Sequence, residues 1–273
     1  MSAAQFGLFV PPFDELADPR VLADIAARAE AAGWDGFFIW DHVQYRPPVR
    51  QVADPWIALA AIAARTQRVR IGALVTPLAR RRPQIVARQT TTLDVLSGGR
   101  MILGAALGRD QSGRELSAFG EELDDRQRAD MLDESLELIE RLWTGTTVDH
   151  NGRHYQARDV TFEPRPVQQP RIPIWIGGRW PRRGPIRRAA RWDGYFPIDM
   201  VDPDQLVECA QQIRVLRGHL DDFDLVVEAG PDDDPAPWIT AGATWWLGSF
   251  GIEQATAAAV RQAAKAGPPV STR

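Results

Sequence analysis

The chain has 273 residues, of which 44% are hydrophobic and 25% charged, and its formal net charge is −4. This composition is ordinary for a soluble globular protein, and the negative charge argues against a nucleic-acid-binding function. No apolar run approaches the ~20 residues that span a bilayer, and the single cysteine excludes an intrachain disulfide. We therefore expect a cytoplasmic protein without nucleic-acid or membrane partners.

Apolar runs and amphipathic stretches alternate along the chain. The predicted strands are residues 6–10, 36–40, 70–75, 101–107, 174–178, 194–198, 225–229 and 244–247. The predicted helices are residues 19–32, 55–65, 83–96, 125–143, 185–192, 203–216 and 252–266. Between the fourth and fifth strands, Asn151-Gly152 predicts an inserted hairpin, which a proline-rich connector follows.

Eight strands alternating with helices predict a (β/α)8 TIM barrel, an α/β fold of typically ~250 residues. We expect one domain over residues 1–266 and a flexible C-terminal tail over residues 267–273. The alternative is a doubly wound open sheet. Its dinucleotide fingerprint is missing, because Val10 of the first strand is followed by Pro11-Pro12 rather than a glycine-rich turn.

Asp41 and His42 follow the second strand directly, at the edge where parallel α/β folds carry their chemistry. A histidine can act as an acid or a base near neutral pH, and an adjacent acid can orient it. This pair is our first candidate for catalysis. The alternative is a loop histidine that is bonded to local backbone.

Three further segments are candidates for binding. Gly72 within the third strand indicates a bulge or a close backbone approach, or simply relieves packing. Arg109, in the loop 108–120, has the geometry to grip an anion, although a solvated loop explains it equally well. Gly177 and Gly178, with Arg179 and further arginines behind them, predict an anion cradle; the alternative is a turn before a solvated basic helix.

Other polar residues are discounted. We expect Arg80-Arg81-Arg82 to be a solvated helix start and Cys209 to be a packing residue. The remaining histidines lack metal-ligand spacing with His42, so no metal site is predicted.

The segments, taken in order, resemble the bacterial luciferase-like monooxygenase family of flavin-dependent oxidoreductases. The resemblance extends over residues 6–247. It rests on these stretches: 31–36 leading to Trp40-Asp41-His42, 68–72 with Val75-Thr76-Pro77, 96–100, 115–120, 173–178, 189–195 and 241–245.

The resemblance implies a (β/α)8 barrel that holds FMN or the deazaflavin coenzyme F420, with Asp41-His42 slightly favouring F420. It implies a non-proline cis peptide, here at Ala73-Leu74, under the ring. The cofactor-binding residues that we carry over are Gly72, Ala73, Leu74, Thr76, Gly108, Gly177, Gly178 and Arg179, with Gly177 and Gly178 at the phosphate.

The implied chemistry is hydride transfer with F420, or oxygen activation and monooxygenation with FMNH2, on a small organic substrate. His42 would move a proton, Asp41 would orient His42, and Arg109 would bind substrate or developing negative charge. Dimers are common in the family.

Two positions depart from the family's deazaflavin branch. Arg46 stands where a Trp is common, and Arg109 stands where sugar-phosphate dehydrogenases carry a Glu. These differences count against a copied sugar-phosphate dehydrogenase mechanism. A metal-dependent barrel hydrolase and a non-catalytic flavin-binding relative remain the alternatives.

Overall fold

The computed structural model describes residues 4–111 and 113–269, which alternate between strands and helices as the sequence predicts. The strands are β1 (Gln5–Val10), β2 (Gly36–Ile39), β3 (Arg70–Ala73), β4 (Thr76–Pro77), β5 (Leu103–Ala106), β6 (Val148–Asn151), β7 (Gln156–Val160), β8 (Ile174–Arg179), β9 (Gly194–Ile198), β10 (Asp224–Ala229) and β11 (Trp245–Ser249). The α-helices are α1 (Pro19–Ala31), α2 (Pro55–Arg65), α3 (Pro83–Ser97), α4 (Asp125–Trp143), α5 (Arg183–Ala189), α6 (Pro203–Arg217), α7 (Ala236–Thr240) and α8 (Ala257–Ala266).

Nine of these strands form one parallel sheet in the order β3-β2-β1-β11-β10-β9-β8-β5-β4. β3 and β4 share the third barrel position, since β3 pairs with β2 while β4 pairs with β5. A parallel bridge from Ile71 to Met101 joins β3 to the chain just before β5. The sheet therefore returns on itself as an eight-position barrel, which confirms the predicted fold and excludes the open sheet.

The barrel has two apolar layers. Between strands and helices lies the larger core, built by the inward stripes of the helices and the outward side chains of the strands. The barrel interior is filled by a second, mostly aromatic cluster: Phe9, Phe38, Leu74, Ile102, Trp175, Phe196, Val226, Trp245 and Leu247. These side chains fill the barrel interior, so that a ligand can enter only at the C-terminal ends of the strands.

Short side chains set where the helices begin. Asp54 accepts a hydrogen bond from the backbone N–H of Ile57, and Asp124 accepts from two N–H groups at the start of α4. Proline occupies the first turn of α1, α2, α3 and α6, where its missing N–H costs nothing. An N-cap of this kind stabilises a helix by ~1 kcal/mol.

Gly72 is a point of close backbone approach, as predicted. A Cβ atom at this position would lie 2.3 Å from the carbonyl oxygen of Ile102 on the neighbouring segment. Any other residue would push the third and fourth barrel positions apart, just where the ring closes.

The inserted hairpin is confirmed as β6 and β7, which pair antiparallel. A half-buried carboxylate attaches this hairpin to helix α4. Glu134 of α4 accepts from His150 Nε2 at 3.0 Å and from the backbone N–H groups of His154 and Tyr155.

Several predicted boundaries were wrong. The third strand is not continuous over 70–75, and the non-proline cis peptide joins Leu74 and Val75, one bond later than expected. The last helix begins at Ala257 rather than at residue 252, because Thr256 caps it. The short helix α7 was not predicted. Residues 270–273 of the expected flexible tail lie outside the described residues, and the single-domain assignment stays a prediction.

Candidate active site

A cavity of about 760 Å³ opens at the C-terminal end of the parallel strands. Of the residues proposed from sequence, eight line it: Asp41, His42, Leu74, Gly108, Arg109, Gly177, Gly178 and Arg179. Gly72, Ala73 and Thr76 do not line it, because they lie buried within or beside the strands, and Val75 and Pro77 take their place in the wall. Eight of the eleven candidate residues therefore lie together at one cavity, and three lie outside its wall.

Asp41 is fully buried and does not orient His42, contrary to the sequence-based expectation. Its carboxylate accepts from Arg80 Nη2 at 2.7 Å and from Arg81 Nη2 at 2.8 and 2.9 Å. Arg80 also donates to the Asp41 carbonyl oxygen at 3.0 Å. The prediction that the three consecutive arginines are solvated was wrong for Arg80 and Arg81, whose side chains are 5% and 16% exposed, and is confirmed only for Arg82. Arg80 and Arg81 are the counter-charges that allow a carboxylate to be buried here.

Glu115 is the residue that holds His42. Its Oε2 lies 2.7 Å from His42 Nδ1, while its Oε1 accepts from the Val43 N–H at 2.7 Å and from Arg80 Nη1 at 2.9 Å. Arg80 thus joins Asp41, which follows β2, to Glu115, which lies in the loop after β5. We call this set of four residues, Asp41, Arg80, Glu115 and His42, the carboxylate network.

The carboxylate network keeps Glu115 ionised. Burial by itself raises the pKa of Glu115, but the hydrogen bond and charge of His42, the charge of Arg80 and the Val43 N–H outweigh it, so the pKa lies below its ordinary value. A carboxylate at Nδ1 fixes the imidazole ring. Nε2 then has no hydrogen-bond partner among the described residues, and the ring lines the cavity.

An aromatic wall surrounds His42. The ring centroid of Tyr45 lies 4.8 Å away in an edge-on arrangement, and those of Phe13 and Trp40 lie 5.8 and 5.9 Å away. These rings leave the imidazole side chain 20% exposed. They shield its hydrogen bond to Glu115 from water, which strengthens that bond.

A group of arginines also lines the cavity. Arg109, Arg179 and Arg182 all line it, and burial together with the charges of Arg109 and Arg182 lowers the pKa of Arg179. Asp199 pairs with Arg179. The backbone of Gly177 passes beside this group, where a Cβ atom would lie 2.7 Å from Val75 Cγ1. Clustered cations beside a glycine backbone without side chains form a site that suits a phosphate or carboxylate ligand.

The described residues do not group into a metal site. Over residues 4–111 and 113–269, no group of three or more His, Cys, Asp or Glu side chains is placed to hold a metal ion. This finding leaves the metal-dependent hydrolase alternative without a ligand set in the described structure. Across the same residues, no helix combines the length and the apolar character that a membrane crossing requires.

A family model described as luciferase-like monooxygenase matches residues 4–231. The chain belongs to this family. The sequence resemblance is thereby confirmed, and the match covers all barrel strands except the last.

Curated relatives of this chain are named as F420-dependent enzymes. The chain is 34% identical, over 195 residues, to an F420-dependent glucose-6-phosphate dehydrogenase from Microbacterium testaceum (strain StLB037). That match covers 70% of this chain and 56% of the relative, so the chain spans about half the length of the curated relatives that it matches.

Solved structures show the same fold. A coenzyme F420-dependent tetrahydromethanopterin reductase from Methanopyrus kandleri has a TM-score of 0.79 at 17% identity, covering 97% of this chain and 99% of that one. The oxygenating constituent of 3,6-diketocamphane monooxygenase from Pseudomonas putida, in complex with FMN, has a TM-score of 0.70 at 18% identity, covering 84% of this chain and 67% of that one. At these identities, the likeness is one of fold.

Proposed function

We propose that the chain is an oxidoreductase that uses F420 or FMN on a small organic substrate, with F420 as the favoured cofactor. The observation that carries the proposal is the buried Glu115–His42 pair, which lines a cavity at the C-terminal edge of the barrel. The F420-dependent relative named above, at 34% identity, supports the same cofactor. Family membership supports the redox class.

The cavity fits such a cofactor on three counts. Its volume of about 760 Å³ lies in the range that holds a ligand of this size. Leu74 and Val75 offer an apolar surface for a ring, and both are lining residues. Arg109, Arg179 and Arg182 supply the positive charge that a phosphate needs beside Gly177 and Gly178.

The residues of the chain would position the cofactor and the substrate and would transfer a proton, whereas the bound cofactor would supply the hydride or the oxygen chemistry. His42 would hold or accept a proton at Nε2 on the cavity side. Glu115 would keep the ring in one orientation through Nδ1 and stabilise it when it is charged. Asp41 would act at a distance, because it positions Arg80 against Glu115.

The substrate class that belongs to this proposal is a small organic molecule. Arg109 occupies the position where sugar-phosphate dehydrogenases of this family carry an acid, and it lines the cavity. We therefore propose that Arg109 binds an anionic group of cofactor or substrate rather than transferring a proton. A cytoplasmic location and a homodimer belong to the same proposal, the first supported by the single cysteine.

The deciding experiment is a titration of the purified protein with F420 and with FMN, each followed by absorbance and fluorescence. We expect micromolar binding of one cofactor, F420 being favoured. If neither cofactor binds at concentrations up to roughly 0.1 mM, about 100-fold above the micromolar range, the proposal is refuted. Tight binding without turnover on any alcohol, aldehyde or ketone would favour the non-catalytic relative.

The role of His42 is tested separately. His42→Ala should leave cofactor affinity within about threefold and lower turnover by roughly 100-fold or more, the usual contribution of a positioned proton donor. His219→Ala is the matched control, because that side chain is 57% exposed. Unchanged turnover in His42→Ala, with normal cofactor binding, would rule out the proton role.

A further inference from the structure

Glu228 is a carboxyl group on the inner face of the barrel that the carboxylate network does not include. It lies on β10, two residues after Val226, whose side chain belongs to the interior cluster. Because side chains two apart on a strand share a face, Glu228 stands one layer above that cluster. It lines the same cavity as His42, from a strand three positions round the barrel from β2.

Within residues 4–111 and 113–269, no basic side chain pairs with Glu228, and the arginines of the cavity do not act on its pKa. Ser249 Oγ donates to its Oε2 at 3.1 Å, and this is its only side-chain hydrogen bond among the described residues. The flanking strands β9 and β11 present Phe196, Ile198 and Leu247 on the inner side. Tyr195 is the one ionisable residue of these two strands, and it belongs to the outer core and donates to Gly178.

Such a place favours the neutral form of an acid more than water does. Burial raises the pKa of Glu228 above its ordinary value, and the hydrogen bond from Ser249 offsets this only in part. The contrast with Glu115 is direct, because the same cavity holds one glutamate paired with Arg80 and His42 and another that has no charged partner. Two acids with opposite environments suit opposite roles.

We propose that Glu228 is a substrate-contacting residue: as an uncharged carboxylic acid, it donates a hydrogen bond to the carbonyl or hydroxyl oxygen of a neutral substrate. Oε2 accepts from Ser249, which leaves Oε1 to carry the proton and to donate to the substrate. The apolar side chains around it select a substrate whose oxygen is carried on an uncharged, largely hydrocarbon frame, and Arg109 then binds an anionic group of the cofactor. The inference rests on the proposed function in taking this cavity as the substrate site.

The test uses three probes that share one ring: cyclohexanone, cyclohexylammonium and cyclohexanecarboxylate. Each is titrated into wild-type protein at pH 7 by saturation-transfer NMR, with and without the preferred cofactor. We expect cyclohexanone to bind most tightly. Glu228→Leu should weaken cyclohexanone roughly 5- to 10-fold, whereas Glu228→Gln, whose amide N–H still donates, should stay within about threefold.

Two controls make the outcome specific. Glu253→Gln makes the same chemical change in an exposed turn and should alter nothing. Infrared difference spectra of wild type against Glu228→Gln should contain the carbonyl band of a protonated carboxylic acid. A preference for cyclohexylammonium, an absent acid band, no binding of cyclohexanone, or unchanged binding in Glu228→Leu would each overturn the proposal.

Failure of this inference is distinguishable from failure of the proposed function. If neither cofactor binds, the proposed function is refuted, while the infrared band and the cofactor-free probe titrations still decide the state and role of Glu228. If a cofactor binds but the probe results do not depend on Glu228, only the substrate contact is refuted.

Discussion

Replacing Glu115 by Gln removes one charge from the carboxylate network and keeps its shape. The amide oxygen should stay on the side of Val43 and Arg80, where two N–H donors face it at 2.7 and 2.9 Å. The amide NH2 then faces His42 Nδ1, which must become an acceptor. We therefore expect the imidazole proton to move from Nδ1 to Nε2, which reverses the tautomer that faces the cavity.

The cost in stability follows from the bonds that lose their charge. Glu115 is 2% exposed and holds charge-assisted hydrogen bonds to two side chains, those of Arg80 and His42. Each such bond contributes ~1.5–3 kcal/mol, and the amide keeps part of both. We expect the free energy of unfolding to fall by about 2–3 kcal/mol, which lowers Tm by roughly 5–10 °C for a protein of this size.

The measurements are thermal unfolding at pH 7 and 15N NMR of the imidazole nitrogens. Glu134→Gln is the matched control, because Glu134 also pairs with a histidine, His150, but does so at the hairpin rather than at the cavity. It should lower Tm while leaving the tautomer of His42 and cofactor affinity unchanged. A Tm within about 2 °C of wild type, or an unchanged His42 tautomer, in Glu115→Gln would refute the reasoning.

Three further predictions concern stability. Arg80→Met leaves buried carboxylates undercompensated and should cost about 3–5 kcal/mol, whereas Arg82→Met, on an exposed side chain, should stay within about 0.5 kcal/mol in urea unfolding. Gly72→Ala should lower the free energy of unfolding by about 3 kcal/mol or more, or prevent folding, because the new Cβ overlaps a backbone oxygen. In the control Gly184→Ala, inside α5, the new Cβ meets nothing within 4 Å, and the free energy of unfolding should rise by up to about 1 kcal/mol. Equal Tm values for the two variants would contradict this reasoning. The folded-state pKa of Glu115 lies below its ordinary 4.5, so the stability that ionised Glu115 contributes is complete above that pH and is lost as the pH falls through the folded-state pKa. The difference in Tm between wild type and Glu115→Gln should therefore become smaller in acid. A constant difference would contradict this.

The sequence predicted the barrel because its signals are local. Alternating apolar runs, Asp–Pro helix starts such as Asp54-Pro55, and glycine stops each act over a few residues. The turn signal Asn151-Gly152 identified the hairpin for the same reason. Boundaries were wrong where tertiary contacts decide them. The predicted third strand is one example, because its first part, β3, pairs with β2 and its second part, β4, pairs with β5.

The site was predicted less well, because its key contacts are distant in sequence. His42 was identified from its place after a buried strand, but Glu115 lies 73 residues away in a loop without periodicity. Arg80 and Arg81 were taken as solvated, since charge runs usually are. A charge balance was the available signal: Asp41 directly follows a buried strand, so a buried carboxylate there requires a cation from elsewhere in the chain.

The carboxylate network also limits how this barrel can be re-engineered. Its members come from the segments after β2, β4 and β5, which are three consecutive barrel positions. Loops of TIM barrels are often treated as interchangeable units on a constant frame. Here, exchanging any one of the three segments alone would leave a buried charge without its partner in the other two. We therefore expect viable grafts only when all three segments are transferred together.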